Sequence, residues 1–376
     1  MELLVFSLFA AALLVCVIFH ISLLFALLLG YVIFALYAIR KGFSLPEVLG
    51  MSAQGVRAAK NILTTFVLIG ILTSLWRAGG TIPAIVCYSV RVMEPRLFLV
   101  CSFLLNCLVS FLTGTAFGSA AQPQPEAPKK KRPSGVLVAI LAVLAAPIAL
   151  PLAAALGADP LMTGGAILSG VYFGDRCSPV STSALLVADL TGTDLFGNIR
   201  QMLRTCLVPF ALAAGLYLLF GLSSPAAGQA ADIAPLFALE FRLGPLIPAA
   251  LILVLSALRV RVKAAMLASI AAAAVLCLAY QGAAPLTLLK DAVLGFSAQS
   301  PELATMIDGG GIVSMLQVGA IVCLSSSYSG IFQRTGLLEP IRRRIEAWGA
   351  VLSPYAAVLV TSVLASAIAC NQTLSI

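Results

Sequence analysis

The sequence predicts an all-α membrane protein, a polytopic helical bundle of roughly ten spans with discontinuous or re-entrant helices. Composition is the first reason. Hydrophobic residues make up 61% of the 376 residues and charged residues 10%, whereas soluble domains carry about 25% charged residues. The mean hydropathy of +1.06 is the second reason. The third is the recurrence of apolar runs of about 20 residues, which is the length that a helix needs to cross a bilayer.

The net charge of +8 is spread between the apolar segments, which is typical of membrane orientation signals and argues against a nucleic-acid-binding face. Because 223–241 contains no Lys or Arg, we predict that this loop faces the periplasm and that the basic clusters face the cytoplasm. The nine cysteines include no CxxC pair. We expect them to pack as small apolar residues rather than to bind zinc.

Composition changes along the chain predict six segments. They are an N-terminal helical hairpin and interfacial helix (1–60), a first repeat core (61–121), a basic cytoplasmic linker (122–135), a transport segment (136–222), connecting helices and loops (223–311), and the start of a second repeat, expected to be truncated (312–376). Within the first repeat core, 81–92 is too short to cross a bilayer and follows Gly79-Gly80, which indicates a re-entrant piece.

The second repeat is suggested by a weak internal similarity. Residues 68–120 align with 324–376 without gaps, although few residues are identical. In both segments the hydrophobicity falls at the same position of the alignment. Paired, interrupted apolar segments in two halves of a chain indicate the binding site of a secondary transporter.

A polar run at 174–183, with the sequence GDRCSPVSTS, interrupts an otherwise apolar region. An Asp near the bilayer centre costs about 2.5–3.5 kcal/mol, and backbone cannot unwind facing lipid. A carboxylate, several hydroxyls and a helix-breaking proline at that depth indicate a place where something polar is bound.

At these residues the chain resembles the NhaC-type sodium/proton antiporter family. The matching pieces are LIGILTSLWRAGGTIPAIVCYSV (68–90), SFLTGTAFGSA (110–120), GGAILSGVYFGDRCSPVSTSALL (164–186), TGTDLFGNIRQML (191–203) and SGIFQRTGLLEPI (329–341). The resemblance implies an inner-membrane carrier with inverted repeats that exchanges Na⁺ for H⁺, and some relatives move small carboxylates such as malate and lactate.

The chain departs from the family pattern in three places. Thr182 stands where the family usually has a second Asp, which puts one carboxylate of the ion site in doubt. A basic linker and an extra span, 122–156, follow the hydroxyl-rich segment. The chain stops at Ile376, inside the second repeat's broken helix, so we expect the chain as it stands not to transport.

The predicted site is built from oxygen ligands, which Na⁺ prefers. Asp175 and Ser178 are the predicted contacts of the transported Na⁺, with Ser181 and Thr182 nearby, and Pro179 breaks the helix. A desolvated Asp can also bind the proton when Na⁺ leaves, so competition for one carboxylate suffices for antiport. The alternative is that Asp175 pairs with Arg176 as a topological anchor.

Hydroxyls from the first repeat are expected to line the same cavity, opposite amides of the second. These residues are Thr113, Thr115 and Ser119, facing Asn371 and Gln372. The alternative is close helix packing, because Gly114 with Gly118 and Gly170 with Gly174 each form a GxxxG pair.

The leading functional hypothesis is Na⁺/H⁺ antiport in a bacterial inner membrane by a multi-pass protein that is not an enzyme. The alternatives are a Na⁺- or H⁺-coupled exchanger of small carboxylates, or a truncated remnant that does not transport. No cofactor is predicted apart from the transported Na⁺ and H⁺. The expected partners are the lipid bilayer and a small cation or carboxylate, without nucleic acid, and a homodimer is left open.

Overall fold

The computed structural model describes residues 2–113, 148–149, 151–178, 181, 184, 187–188, 191–223, 244–258, 260, 262–280, 282–298, 304, 307–337 and the single positions 353, 356, 359 and 362. These residues are overwhelmingly helical and contain no strand, only one isolated antiparallel bridge between Phe296 and Gly309. The predicted all-α fold class is confirmed.

The helices are bounded as follows: α1 Glu2–Ile18, α2 Leu23–Arg40, α3 Leu45–Ala58, α4 Lys60–Ala78, α5 Thr81–Val92, α6 Phe98–Thr113, α7 Pro160–Cys177, α8 Leu195–Ser223, α9 Ile247–Ala257, α10 Val262–Tyr280, α11 Pro285–Leu294, α12 Gly311–Ser314 and α13 Leu316–Thr335. Short 3₁₀ turns, Pro95–Leu97 and Gly244–Leu246, lead directly into α6 and α9.

Two of the described helices, α4 and α8, are long and apolar enough to cross a membrane. Helix α8 is almost entirely exposed, with Leu207 at 67% and Leu212 at 63% exposure, which suits a lipid-facing surface. Shorter apolar segments lie within α1, α2, α5, α6, α10 and α13. The ten spans and the inverted repeats stay predictions.

The bounds of several helices follow from local chemistry. Helix α3 begins after Ser44, whose backbone N–H and hydroxyl both donate to the carboxylate of Glu47 (2.8 and 2.7 Å). These two hydrogen bonds lower the pKa of Glu47, and the positive charge of Arg334 lowers it further. Helix α5 begins after Gly80, whose φ of 75° ends α4 and turns the chain, so the predicted break at Gly79-Gly80 is confirmed.

The described chain divides into two compact units. The first comprises Met1–Thr64 and Leu316–Ile376. Its core is an aromatic cluster in which α1 and α2 meet α13, formed by Phe6, Phe9, Phe34, Tyr328 and Phe332. Helix α3 crosses α13 at Gly55 and Gly330, where backbone lies directly on backbone.

The second unit is Thr65–Met315 and contains the remaining helices. Trp76 of α4 donates to the Ser269 hydroxyl (3.0 Å), which in turn donates to the Pro248 carbonyl (2.9 Å), so α4, α10 and α9 are joined by one relay. Helix α8 packs on α6 and α7 through Phe103, Phe210 and Tyr217.

The apolar stretch 312–332 is not one continuous helix: it is interrupted at Met315, with α12 before the interruption and α13 after it. The apolar stretches 136–156 and 350–370 lie largely outside the described residues.

Candidate functional site

Helices α6 and α7 form a close parallel pair inside the second unit. A Cβ on Gly170 would lie 2.7 Å from the Asn106 Cβ, and one on Gly174 would lie 2.1 Å from the Ser110 carbonyl carbon. Only glycine permits this approach, so the packing interpretation of the Gly170–Gly174 pair is confirmed. The other predicted pair, Gly114 and Gly118, lies outside the described residues.

Polar side chains of α6 line this contact. Ser102, Asn106 and Ser110 are spaced by four residues, which places them on one helix face, and all three are buried. The Ser110 hydroxyl donates to the Val171 carbonyl (2.5 Å). That carbonyl lies one helical turn before Asp175, so α6 presents its hydroxyl to the turn of α7 that leads into the polar run.

Helix α7 ends inside the polar run. Asp159 caps its N-terminus by accepting from the Met162 N–H (2.9 Å), and the helix continues to Cys177. Ser178 is extended (φ −82°, ψ 135°) because a residue that precedes a proline is pushed out of the helical region. Asp175 therefore lies in the last turn of α7, immediately before the break.

The two serines after this break are fully buried. Ser178 and Ser181 each have 0% exposure, and the Ser181 N–H donates to the Ser178 carbonyl (3.2 Å). Burial of two hydroxyls on non-helical backbone beside a helix end provides hydroxyl and carbonyl oxygens in a water-poor place. Ser178 and Ser181 therefore lie on the segment that follows the last turn of α7, and the roles expected of them and of Asp175 stay predictions.

The other predicted site residues are placed less completely. Thr113 is the last residue of α6, and the register of the pair puts it at the level of Cys177, at the same end as the break. Thr115, Ser119, Thr182, Asn371 and Gln372 lie outside the described residues. Their roles stay predictions.

A second helix break, which sequence reasoning missed, lies against α4. Helix α11 ends at Gly295, and the chain returns through Gly309, Gly310 and Gly311, all with positive φ, before α12. A Cβ on Gly310 would lie 2.6 Å from the Ser74 backbone nitrogen. The signal in the sequence is the glycine triplet itself.

Polar contacts fix this segment on α4. The buried Ser74 hydroxyl donates to the Asp291 carbonyl (2.6 Å), which also accepts from the Gly295 N–H (2.8 Å). Arg77 lies beside Gly309, and the carboxylate of Asp308 is the charged group that attracts it. Asp308 itself accepts from the Ala298 N–H (2.6 Å) and the Ser297 hydroxyl (3.3 Å).

The Asp194 carboxylate accepts from the Gly197 N–H (2.7 Å) in the first turn of α8 and so caps this helix. Across the described residues, no group of three His, Cys, Asp or Glu side chains is arranged to hold a resident metal ion. Carboxylate and hydroxyl oxygens, the atom types that hard cations prefer, occur in the sequence at the end of α7.

Two of the described helices are long and apolar enough to cross a bilayer, and one of them is almost entirely exposed, as is typical of an integral membrane protein. The profile of the Na⁺/H⁺ antiporter family matches residues 170–376, which is more than half of the chain. The chain belongs to this family, whose members are membrane transporters rather than enzymes.

Three relatives are similar over most of this chain. The malate-2H⁺/Na⁺-lactate antiporter of Bacillus subtilis is 27% identical over 84% of this chain and 64% of its own length. An Na⁺/H⁺ antiporter of Haemophilus influenzae is 26% identical over 84% of this chain and 65% of its own. The Na⁺/H⁺ antiporter NhaC of Alkalihalophilus pseudofirmus is 27% identical over 95% of this chain and 73% of its own.

The chain therefore spans slightly less than two thirds of the length of the first two relatives. No solved structure matches the chain significantly.

Proposed function

We propose that the protein exchanges Na⁺ for H⁺ across a bacterial inner membrane, with the cation bound where α7 ends. The observation that carries this proposal is the pair of fully buried serines, Ser178 and Ser181, which lie on non-helical backbone three and six residues after Asp175. Membership of the Na⁺/H⁺ antiporter family and the similarity to two Na⁺/H⁺ antiporters support it.

The chemistry follows from the types of atom at this helix end. Carboxylate, hydroxyl and carbonyl oxygens are the ligands of a hard cation such as Na⁺. A carboxylate in a poorly hydrated place also binds a proton more readily than one in water. If Na⁺ and H⁺ compete for Asp175, the carrier releases one when it binds the other, and antiport follows.

A second candidate is the coupled exchange of a small carboxylate. The malate-2H⁺/Na⁺-lactate antiporter is among the similar proteins, and Thr182 replaces a carboxylate of the usual family pattern, so an anion would be repelled less. Three of the five curated relatives are Na⁺/H⁺ antiporters, and we therefore favour Na⁺/H⁺ exchange.

The test is Na⁺-dependent collapse of a pH gradient in proteoliposomes that carry a complete version of the protein, measured with a ΔpH-sensitive dye. Asp175→Asn should abolish this flux while the protein remains folded, because an amide of nearly the same size and shape replaces the carboxylate. Asp159→Asn is the matched control on the same helix, since Asn caps a helix about as well as Asp, and its flux should stay within about twofold of wild type.

The two candidates are separated in the same vesicles. Flux that requires external malate or lactate as well as Na⁺ would favour carboxylate exchange. Unchanged Na⁺-dependent flux with Asp175→Asn would show that the cation binds elsewhere.

A further inference from the structure

Three buried polar side-chain atoms have no hydrogen-bond partner among the described residues: the Arg77 Nε, the Thr81 hydroxyl oxygen and the Asn106 Oδ1. The first two lie four positions apart, on either side of the Gly79-Gly80 break between α4 and α5. Thr81 is 0% exposed, and Arg77 is half-buried. Buried polar groups almost always have a partner, so two unpartnered groups at one helix break call for an explanation.

Both groups at this break donate hydrogen bonds, which indicates the kind of partner that they need. A guanidinium N–H cannot accept a hydrogen bond, and a threonine hydroxyl has a proton to donate. The first N–H groups of α5 are donors of the same kind, because they have no partner within the helix and Gly80 has no side chain to cap them. Donors that converge at a helix N-terminus, where the helix dipole favours negative charge, suit an anion.

The turn at the break keeps these donors close together. The Gly80 N–H donates to the Arg77 carbonyl (3.1 Å), a turn that holds the Cα atoms of these two residues within about 7 Å of each other, and Thr81 follows directly. The guanidinium meets Gly309 through Nη1, which lies 3.1 Å from the position of a Cβ on that glycine, whereas Nη2 lies 4.0 Å from it. The edge formed by Nε and Nη2 is therefore on the far side of the group from Gly309.

The acidic residue near Arg77 does not provide the missing acceptor. Asp308 attracts the guanidinium, but this carboxylate is exposed and accepts from the Ala298 N–H (2.6 Å) and the Ser297 hydroxyl (3.3 Å). The Arg77 Nε is left without a partner among the described residues. A half-buried positive charge on an apolar helix is costly unless a negative group pairs with it.

We propose that Arg77 and Thr81 bind the carboxylate group of a small organic anion at the break between α4 and α5. A guanidinium edge presents two parallel N–H groups, which match the two oxygens of a carboxylate. The Thr81 hydroxyl and the first N–H groups of α5 supply further donors. The site involves no residue of α7, so it goes beyond the proposed Na⁺/H⁺ exchange and does not depend on it. It provides the anion site that the second candidate function requires.

Three variants test the contacts one at a time. Arg77→Gln removes the charge and the paired donors, so the affinity for lactate and malate should fall by about tenfold or more. Arg77→Lys keeps the charge but not the planar edge, so the affinity should fall as well, although by less. Thr81→Val removes only a hydroxyl, and the affinity should fall by about two- to tenfold. The ligand-free stability of Thr81→Val should not decrease, because the hydroxyl has no protein partner to lose.

Two matched controls separate binding from general effects on the protein. Thr73→Val makes the same chemical change on α4, where the hydroxyl already donates to the Ile69 carbonyl (2.8 Å). Arg204→Gln removes an exposed charge from α8. Both controls should bind the two acids with wild-type affinity.

The measurement is binding of radioactive lactate and malate to the purified protein in Na⁺-free buffer, by scintillation proximity, with thermal stabilisation by each acid as a second readout. Binding of neither acid by wild type, or binding that Arg77→Gln leaves unchanged, would overturn the proposal. If Arg77→Gln does not fold, wild-type affinity in Thr81→Val would overturn it instead. Equal displacement of the acids by chloride or nitrate would show a general anion site and refute the assignment to carboxylates.

The result is independent of the test for the cation site. Asp175→Asn should bind lactate and malate as wild type does, even if its Na⁺-dependent flux is lost. Conversely, Na⁺-dependent flux that persists in Arg77→Gln, together with lost binding of the acids, would support both proposals as separate sites.

Discussion

The direct contact of α6 with α7 can be tested by Gly174→Ala. The added Cβ would lie 2.1 Å from the Ser110 carbonyl carbon and 2.2 Å from the Phe111 nitrogen. Both are backbone atoms of α6, so no side-chain rotation relieves the clash. The helices would have to separate by about 1.3 Å to restore ordinary contact at 3.4 Å.

The expected loss of stability of Gly174→Ala can be estimated from this geometry. Overpacking of a well-packed interior typically costs about 1–3 kcal/mol. Separation of the helices also breaks the hydrogen bond from Ser110 to Val171, which contributes about 1 kcal/mol. Alanine offsets about 0.5–1 kcal/mol because it loses less conformational entropy than glycine in a helix. The net destabilisation should therefore be about 1–3 kcal/mol.

The assay is thermal unfolding of the detergent-solubilised protein, followed by size-exclusion chromatography. Gly164→Ala on the same helix is the matched control, because its Cβ would meet no atom within 4 Å. It should be neutral or slightly stabilising, whereas Gly174→Ala should melt several degrees lower and lose Na⁺-dependent flux. Equal melting temperatures for the two variants would refute the close approach of the helices at Gly174.

Three further predictions concern other parts of the molecule. Phe34→Ala should destabilise the first unit by about 3–5 kcal/mol in thermal unfolding, because this fully buried ring contacts four other aromatic rings. Phe25 lies on the same helix and is 62% exposed, so Phe25→Ala should be close to neutral. Gly310→Ala should lower the melting temperature through both its positive φ and its contact with α4, and a folded variant with wild-type melting would contradict this packing. The pKa of Glu47 is lowered in the folded protein, so its hydrogen bonds stabilise α3 at pH values above the ordinary pKa of glutamate. This stabilisation is lost as the pH falls through the folded-state pKa. Ser44→Ala should therefore raise the Glu47 pKa, as measured by NMR titration, and an unchanged value would exclude the cap.

Much of the helix pattern was predictable because its signals are local. The re-entrant piece was predicted at 81–92, and α5 has the same bounds. The glycine pair before it and the loss of hydrophobicity after it are sequence features that fix both ends. The end of α7 was equally accessible, because Pro179 determines the conformation of Ser178 whatever surrounds it.

What sequence reasoning missed depends on tertiary contacts. Helix α11 is only 10 residues long and contains Lys290 and Asp291, so it does not resemble a membrane span. The glycine triplet marks a turn, but nothing in the sequence indicates that the triplet lies against Ser74, more than 200 positions earlier. Asn106 was visible in an apolar helix, yet only the structure shows that its oxygen is buried without a donor.

Two of the helix breaks described in the second unit, at the end of α7 and at the glycines before α12, share one arrangement of contacts. At each break a serine on a neighbouring continuous helix donates to a backbone carbonyl, Ser110 to Val171 and Ser74 to Asp291. Each serine lies at a glycine that lets the backbones touch, Gly174 in the first case and Gly310 in the second. Each glycine allows a backbone approach that brings the short serine side chain within hydrogen-bonding distance of the carbonyl. A side chain at either glycine would clash with the backbone of the neighbouring helix, so the hydrogen bond and the close packing of the helices depend on the same residue.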